Sequence, residues 1–122
     1  MPLGGFKIPS NNDKYHWTNH VIRKMIHYGL SPMRVLRVIR APQRMEEGIA
    51  PNTLAAMQKI GTSKRASEIW VMYAEHKKGK TKIGLPRKVI VTAWRYPGSS
   101  PIREAIPIPH DILEELKRER LI

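Results

Sequence analysis

Three side chains on one short stretch have the types and spacing for proton transfer at a phosphodiester. The stretch is Thr18–Tyr28, T-N-H-V-I-R-K-M-I-H-Y. At about 3.6 residues per helical turn, His20, Arg23 and His27 fall on one narrow stripe, and Val21, Ile22, Met25 and Tyr28 fall on the opposite arc. Imidazole titrates near neutrality, so one histidine could deprotonate a ribose 2′-hydroxyl and another could protonate the leaving oxygen. Arg23 would stabilise the charge growing on the phosphoryl group. Such cleavage needs no metal. The same stripe also fits a solvated basic face without chemistry. A metal reading of His16-x-x-x-His20 lacks a carboxylate on the same helix, and no metal site is assigned.

Two further groups of residues have suitable chemistry. Arg95 and Tyr96 end a strand-like run just before Pro97-Gly98, where Arg could bind phosphate and Tyr could stack a base or supply a hydroxyl. Lys77, Lys78, Lys80, Lys82, Arg87 and Lys88 cluster around a segment without acids, and Arg34 and Arg37 recur at helical spacing upstream. Clustered cations of this kind track a nucleic-acid backbone with salt-dependent affinity, or simply keep a hairpin soluble. No Gly-rich phosphate loop or Ser-centred nucleophile elbow is present, and no cofactor is implied.

The elements that would position these groups read as follows. Residues 1–14 are rich in Gly, Pro and Asn and are expected to form a flexible arm. Residues 15–122 then form a single domain. Tyr15 to Trp17 has the look of a short extended piece. Thr18 or Asn19 is a natural N-cap, and Gly29 sits where a left-handed residue would end the helix. Ser31-Pro32 opens a second helix with a core stripe of Met33, Leu36 and Ile39, and Pro42 stops it. Residues 43–52 read as a turn-rich connection.

Thr53 to Ile60 leans to strand over helix. Glu68 to Glu75 and Lys88 to Tyr96 are clear strands, rich in β-branched and aromatic residues, with 76–87 as a long loop between them. Trp17, Trp70 and Trp94 belong in the core. A last helix begins near His110-Asp111, with Asp111 and Glu114 placed as a capping-box pair. The expected architecture is α+β: two N-terminal helices packed on a small, curved antiparallel sheet of about three to four strands, plus a C-terminal helix.

Composition narrows the partners. The chain has 122 residues, with Lys plus Arg at 22 against Asp plus Glu at 10, a formal net charge of +12. An excess of that size attracts a polyanion, nucleic acid above all. With no cysteine, disulfide scaffolds, thiol nucleophiles and Cys-ligated zinc are excluded. No apolar run approaches a membrane span and no signal peptide is evident, so the default is a soluble cytoplasmic protein.

The segments W-T-N-H-V-x-R-K-M-x-x-x-G-L-S, V-L-R-V-I-x-x-P, I-W-V-M-Y and K-V-I-V-T-A-W-R-Y, across residues 17–96, resemble a set of small, mostly uncharacterised bacterial domains. Those domains are similar to the RelE and BrnT families of ribonuclease toxins. The resemblance implies a metal-independent endoribonuclease acting on RNA, or a descendant that has lost activity, together with an acidic antitoxin partner. It singles out His20 and Arg23, places Arg95 and Tyr96 late in the sheet, and sets His27 where the pattern often has Arg. The alternatives are a non-catalytic basic nucleic-acid-binding module and an interaction protein for an acidic partner.

Overall fold

Local capping chemistry defines the first two helices. In the computed structural model, which describes residues 6–80 and 86–122 (the side chains of residues 76–80 and 86 excepted), helix α1 spans Asn19–Tyr28 and helix α2 spans Pro32–Arg40. Thr18 is extended, and its hydroxyl accepts the amide of Val21 at 3.0 Å. Gly29 closes α1 at φ 69°, a left-handed conformation that glycine adopts without a Cβ penalty, as the spacing predicts. Ser31 accepts the amide of Arg34 at 3.1 Å, and Pro32 occupies the first helical turn.

Five strands form one sheet in the order β1-β5-β4-β3-β2: β1 (Tyr15–Trp17), β2 (Arg44–Glu47), β3 (Thr53–Ile60), β4 (Ser67–Lys80) and β5 (Pro86–Pro97). The α+β class and all three expected helices are present, and Thr53–Ile60 is a strand. The sheet is larger than expected and it is mixed. β1 pairs parallel to β5, with Tyr15 opposite Lys88, whereas the other pairings are antiparallel. β2 lies inside the stretch read as turn-rich. Its side chains alternate between half-buried and exposed, an edge-strand pattern too short to stand out in four residues.

Most of the segment read as a loop at 76–87 also belongs to paired strands, because β4 runs to Lys80 and β5 starts at Pro86. A hydrogen-bonded ribbon needs no apolar side chains, so lysines and glycine hid it. Lys82 lies outside the described residues, as do the side chains of Lys77, Lys78 and Lys80.

The sheet is covered on both faces. One face packs Val71, Ile90 and Ala93 against Val21 and Met25 of α1 and Val35, Val38 and Ile39 of α2; of the stripe expected on α2, Ile39 is in the core, Leu36 packs partly against it and Met33 is exposed. The other packs Met57, Trp70, Met72 and Trp94 under helix α3 (His110–Arg118), which inserts Ile112 and Leu116. Those two side chains are fully buried, which stabilises the docking of α3 by about 1.5–3 kcal/mol each. Trp70 and Trp94 stack with centroids 5.9 Å apart and planes 6° from parallel.

The expected capping box is not formed. Pro109 holds the N-cap position of α3 and no side chain caps it. Asp111 instead lies 3.7 Å from Lys24 of α1. Among the described residues no helix is long and apolar enough to cross a membrane.

One irregularity in the sheet bears on the site. The β4–β5 register shifts between Met72, opposite Thr92, and Tyr73, opposite Ile90, so Val91 is an extra residue on β5. A bulge of this kind breaks the in-out alternation and re-aims a side chain. Here Ile90 joins the α1–α2 core, Val91 joins the α3 core, and Thr92 is left with a buried hydroxyl facing α1.

Candidate functional site

Thr92 is where α1, β5 and α3 meet. His20, only 1% exposed, reaches it from the first turn of α1, with Nε2 2.8 Å from the Thr92 hydroxyl. Its Nδ1 lies 3.2 Å from Glu119, just past the end of α3, and 3.6 Å from Glu115. These partners assign the tautomer: Nδ1–H donates to the Glu119 carboxylate, and Nε2 accepts the Thr92 hydroxyl proton. Burial holds the His20 pKa below its ordinary value and outweighs the hydrogen bond and charge of Glu119 and the charge of Glu115, while the Lys24 ammonium adds to the lowering. The imidazole is therefore neutral near pH 7.

Ion pairs surround this chain of hydrogen bonds. Arg23 reaches Glu119 at 2.7 Å, and Lys24, nearly buried, reaches Glu115 at 2.7 Å. Hydrogen bonds from Arg23 and from His20 hold the Glu119 carboxyl below its usual range, against the upward push of burial. His20, Glu115 and Glu119 have potential ligand atoms within 4.8 Å of one another, so these three could in principle hold a metal. Both carboxylates already have cations at salt-bridge distance, and a metal would have to displace them. His16 sits in β1 and does not share the helix of His20.

The sequence-derived site residues do not gather in one place. His20 and Arg23 converge on Glu119. His27 is exposed and lies edge-on to Tyr28, centroids 4.7 Å apart. Arg95 donates to the carbonyl of Tyr28 at 3.3 Å, at the far end of α1, and the rise from His20 to Tyr28 is about 12 Å. Tyr96 packs at the margin of the α3 core. Arg87 donates to the Asn12 carbonyl at 3.0 Å, and Lys88 lies 3.8 Å from Glu75.

Arg34 and Arg37 lie on α2 with Arg40. Arg37 and Arg40 are exposed, and among the described residues none of the three has a carboxylate within ion-pair distance. Arg40 stands over the Tyr15 ring, 5.8 Å from its centroid. A shallow cleft of about 190 Å³ is lined by Met33, Leu36, Arg37, Arg40 and Ala41.

Sequence reasoning missed Lys24, Thr92, Glu115 and Glu119. One signal was available: Asp111, Glu115 and Glu119 recur every four residues, as do His20 and Lys24, giving an acidic and a basic stripe of matching pitch. It also missed Glu68. This fully buried carboxylate accepts the Ser100 hydroxyl at 2.7 Å, the Ser100 amide at 3.0 Å and the Trp70 indole N–H at 3.0 Å. Burial alone would raise its pKa, but these bonds and nearby Arg44 hold it down. Arg44 in turn bonds Glu46, the Ser100 hydroxyl and the carbonyls of Ile102 and Glu104. With its acceptors and donors engaged, this group anchors the segment leading to α3.

Comparison of the chain with protein-family models, with curated proteins and with solved structures returned no match.

Proposed function

We propose that this chain is a nucleic-acid-binding module, RNA being the favoured ligand, which holds the phosphate backbone on the arginine face of α2 and does not itself cleave it. One observation carries this reading: positive charge is segregated. The acids of α3 neutralise Arg23 and Lys24 on α1, while among the described residues Arg34, Arg37 and Arg40 have no carboxylate within ion-pair distance. In a chain of net charge +12, the α2 arginines are therefore cations that phosphates can reach.

The test is a salt titration of binding to RNA. Affinity should fall steeply between about 50 and 200 mM salt, and each Arg→Gln change on α2 should flatten the log–log slope by about one. Undetectable binding at the low end, or affinity indifferent to salt, rejects the reading.

A second reading is the metal-independent endoribonuclease. The observation in its favour is the carboxylate–imidazole–hydroxyl chain Glu119–His20–Thr92 with Arg23 beside it, an arrangement able to relay a proton. For His20 to meet a ribose hydroxyl, α3 would have to move aside, since both ring nitrogens are engaged and the ring is buried. RNA incubated in EDTA with the protein and with His20→Ala decides it: cleavage by the first alone supports the enzyme, and equal outcomes remove it.

A further inference from the structure

The α2 face has a feature that phosphate binding alone does not use. Met33 is 73% exposed, a large apolar side chain at the surface of a helix whose opposite face is fully packed. It continues through Leu36 to Ala41 as the floor of the 190 Å³ cleft, with Arg37 and Arg40 on that same surface. Positions 33, 36, 37 and 40 form one stripe of the helix, with Ala41 as its C-cap, so floor and charges keep a fixed relation. Arg40 also has a cation–π contact with the Tyr15 ring.

From this geometry we infer that the cleft seats one unstacked base of a single-stranded nucleic acid, with the flanking phosphates on Arg37 and Arg40. The inference rests on the nucleic-acid reading above and adds the class of substrate. A base in a duplex has both faces covered by its neighbours, whereas an unstacked base offers a planar π-face. Methionine suits that face because its polarizable thioether makes favourable contacts with aromatic rings, and guanidinium groups stack on or flank the same plane. Charge complementarity selects a polyanion for this stripe. The small size of the cleft selects a single planar group over the row of side chains an acidic helix would bring.

The experiment compares fluorescence anisotropy titrations at one low salt concentration. Its four probes are a short labelled oligoribonucleotide, its duplex, an abasic strand with the same number of phosphates, and polyglutamate. The base-bearing strand should bind about tenfold tighter than the abasic strand and tighter than the duplex. Met33→Ala, at an exposed position that leaves the core intact, should remove most of the difference between strand and abasic strand without changing abasic binding. Equal affinity for the base-bearing and abasic strands, or an unchanged difference in Met33→Ala, overturns the base site while leaving phosphate binding standing. Polyglutamate binding with no nucleic acid bound at all overturns both the base site and the nucleic-acid reading.

Discussion

The seam between α1 and α3 and the outer face of α2 both carry rows of cations, and the two regions differ in what faces those cations. At the seam, Asp111, Glu115 and Glu119 meet Arg23 and Lys24, and the neutral His20 imidazole is closed off between Glu119 and Thr92. On α2, Arg37 and Arg40 face solvent and Arg34 is half-buried, beside an exposed methionine. The same residue types hold a tertiary contact together in one place and remain available to a ligand in the other. The difference comes from packing: buried charges persist only where paired, whereas exposed ones need no partner.

Breaking the seam should have the largest effect. His20→Ala removes a buried ring and strands the Thr92 hydroxyl, and should lower unfolding stability by about 3 kcal/mol in urea titrations. RNA binding by the folded variant should stay at the wild-type level, since α2 is untouched. Lost affinity with stability retained would put function at the seam instead. Thr92→Val keeps the shape but leaves His20 Nε2 without its donor, for a loss of about 1–2 kcal/mol by the same measurement. An unchanged midpoint would show the hydrogen bond to be idle.

Acid should loosen the seam by less than either substitution. The folded pKa of His20 lies below its unfolded value of about 6.5, so the unfolded chain takes up the proton first and stability falls as pH drops through that value. Glu119, also lowered when folded, contributes stability that is lost further down, below its ordinary carboxylate range. Thermal melts from pH 7.5 to 5 should show the decline from His20, and His20→Gln should flatten it. A decline equally steep in the variant would assign it to other groups.

The smallest stability change belongs to α2. Arg37→Gln should move unfolding stability by less than about 0.5 kcal/mol, while reducing the salt slope of RNA binding by about one. A large loss of stability there would mean that the α2 arginines are structural after all, and the contrast with the seam would vanish.

Much of the fold was legible because its signals are local. Thr18, Gly29, Ser31 and Pro32 mark helix ends by their own side chains and backbone preferences, and the apolar runs of β4 and β5 report burial directly. The edge strands were legible only in part. Tyr15–Trp17 read as an extended piece, but its parallel partner lies far along the chain and was not legible, and Arg44–Glu47 is a short edge with few apolar residues whose pattern is not distinctive. At the site, the helical stripe correctly put His20 and Arg23 on one side of α1, since both reach Glu119. It had no means of knowing that a second helix would cover His20, because a helical wheel describes one helix against one core.

The sequence by itself determined the caps of α1 and the N-cap of α2, the central strands, the class and the charge excess, all of which follow from residue type and near-neighbour spacing. Only the tertiary structure decided which cations are neutralised. The bulge at Val91 turns Thr92 toward His20, and α3 lands across the second sheet face with its carboxylates against α1. Those two events join residues more than seventy positions apart, and the energy of such a contact depends on the burial and geometry of both partners together.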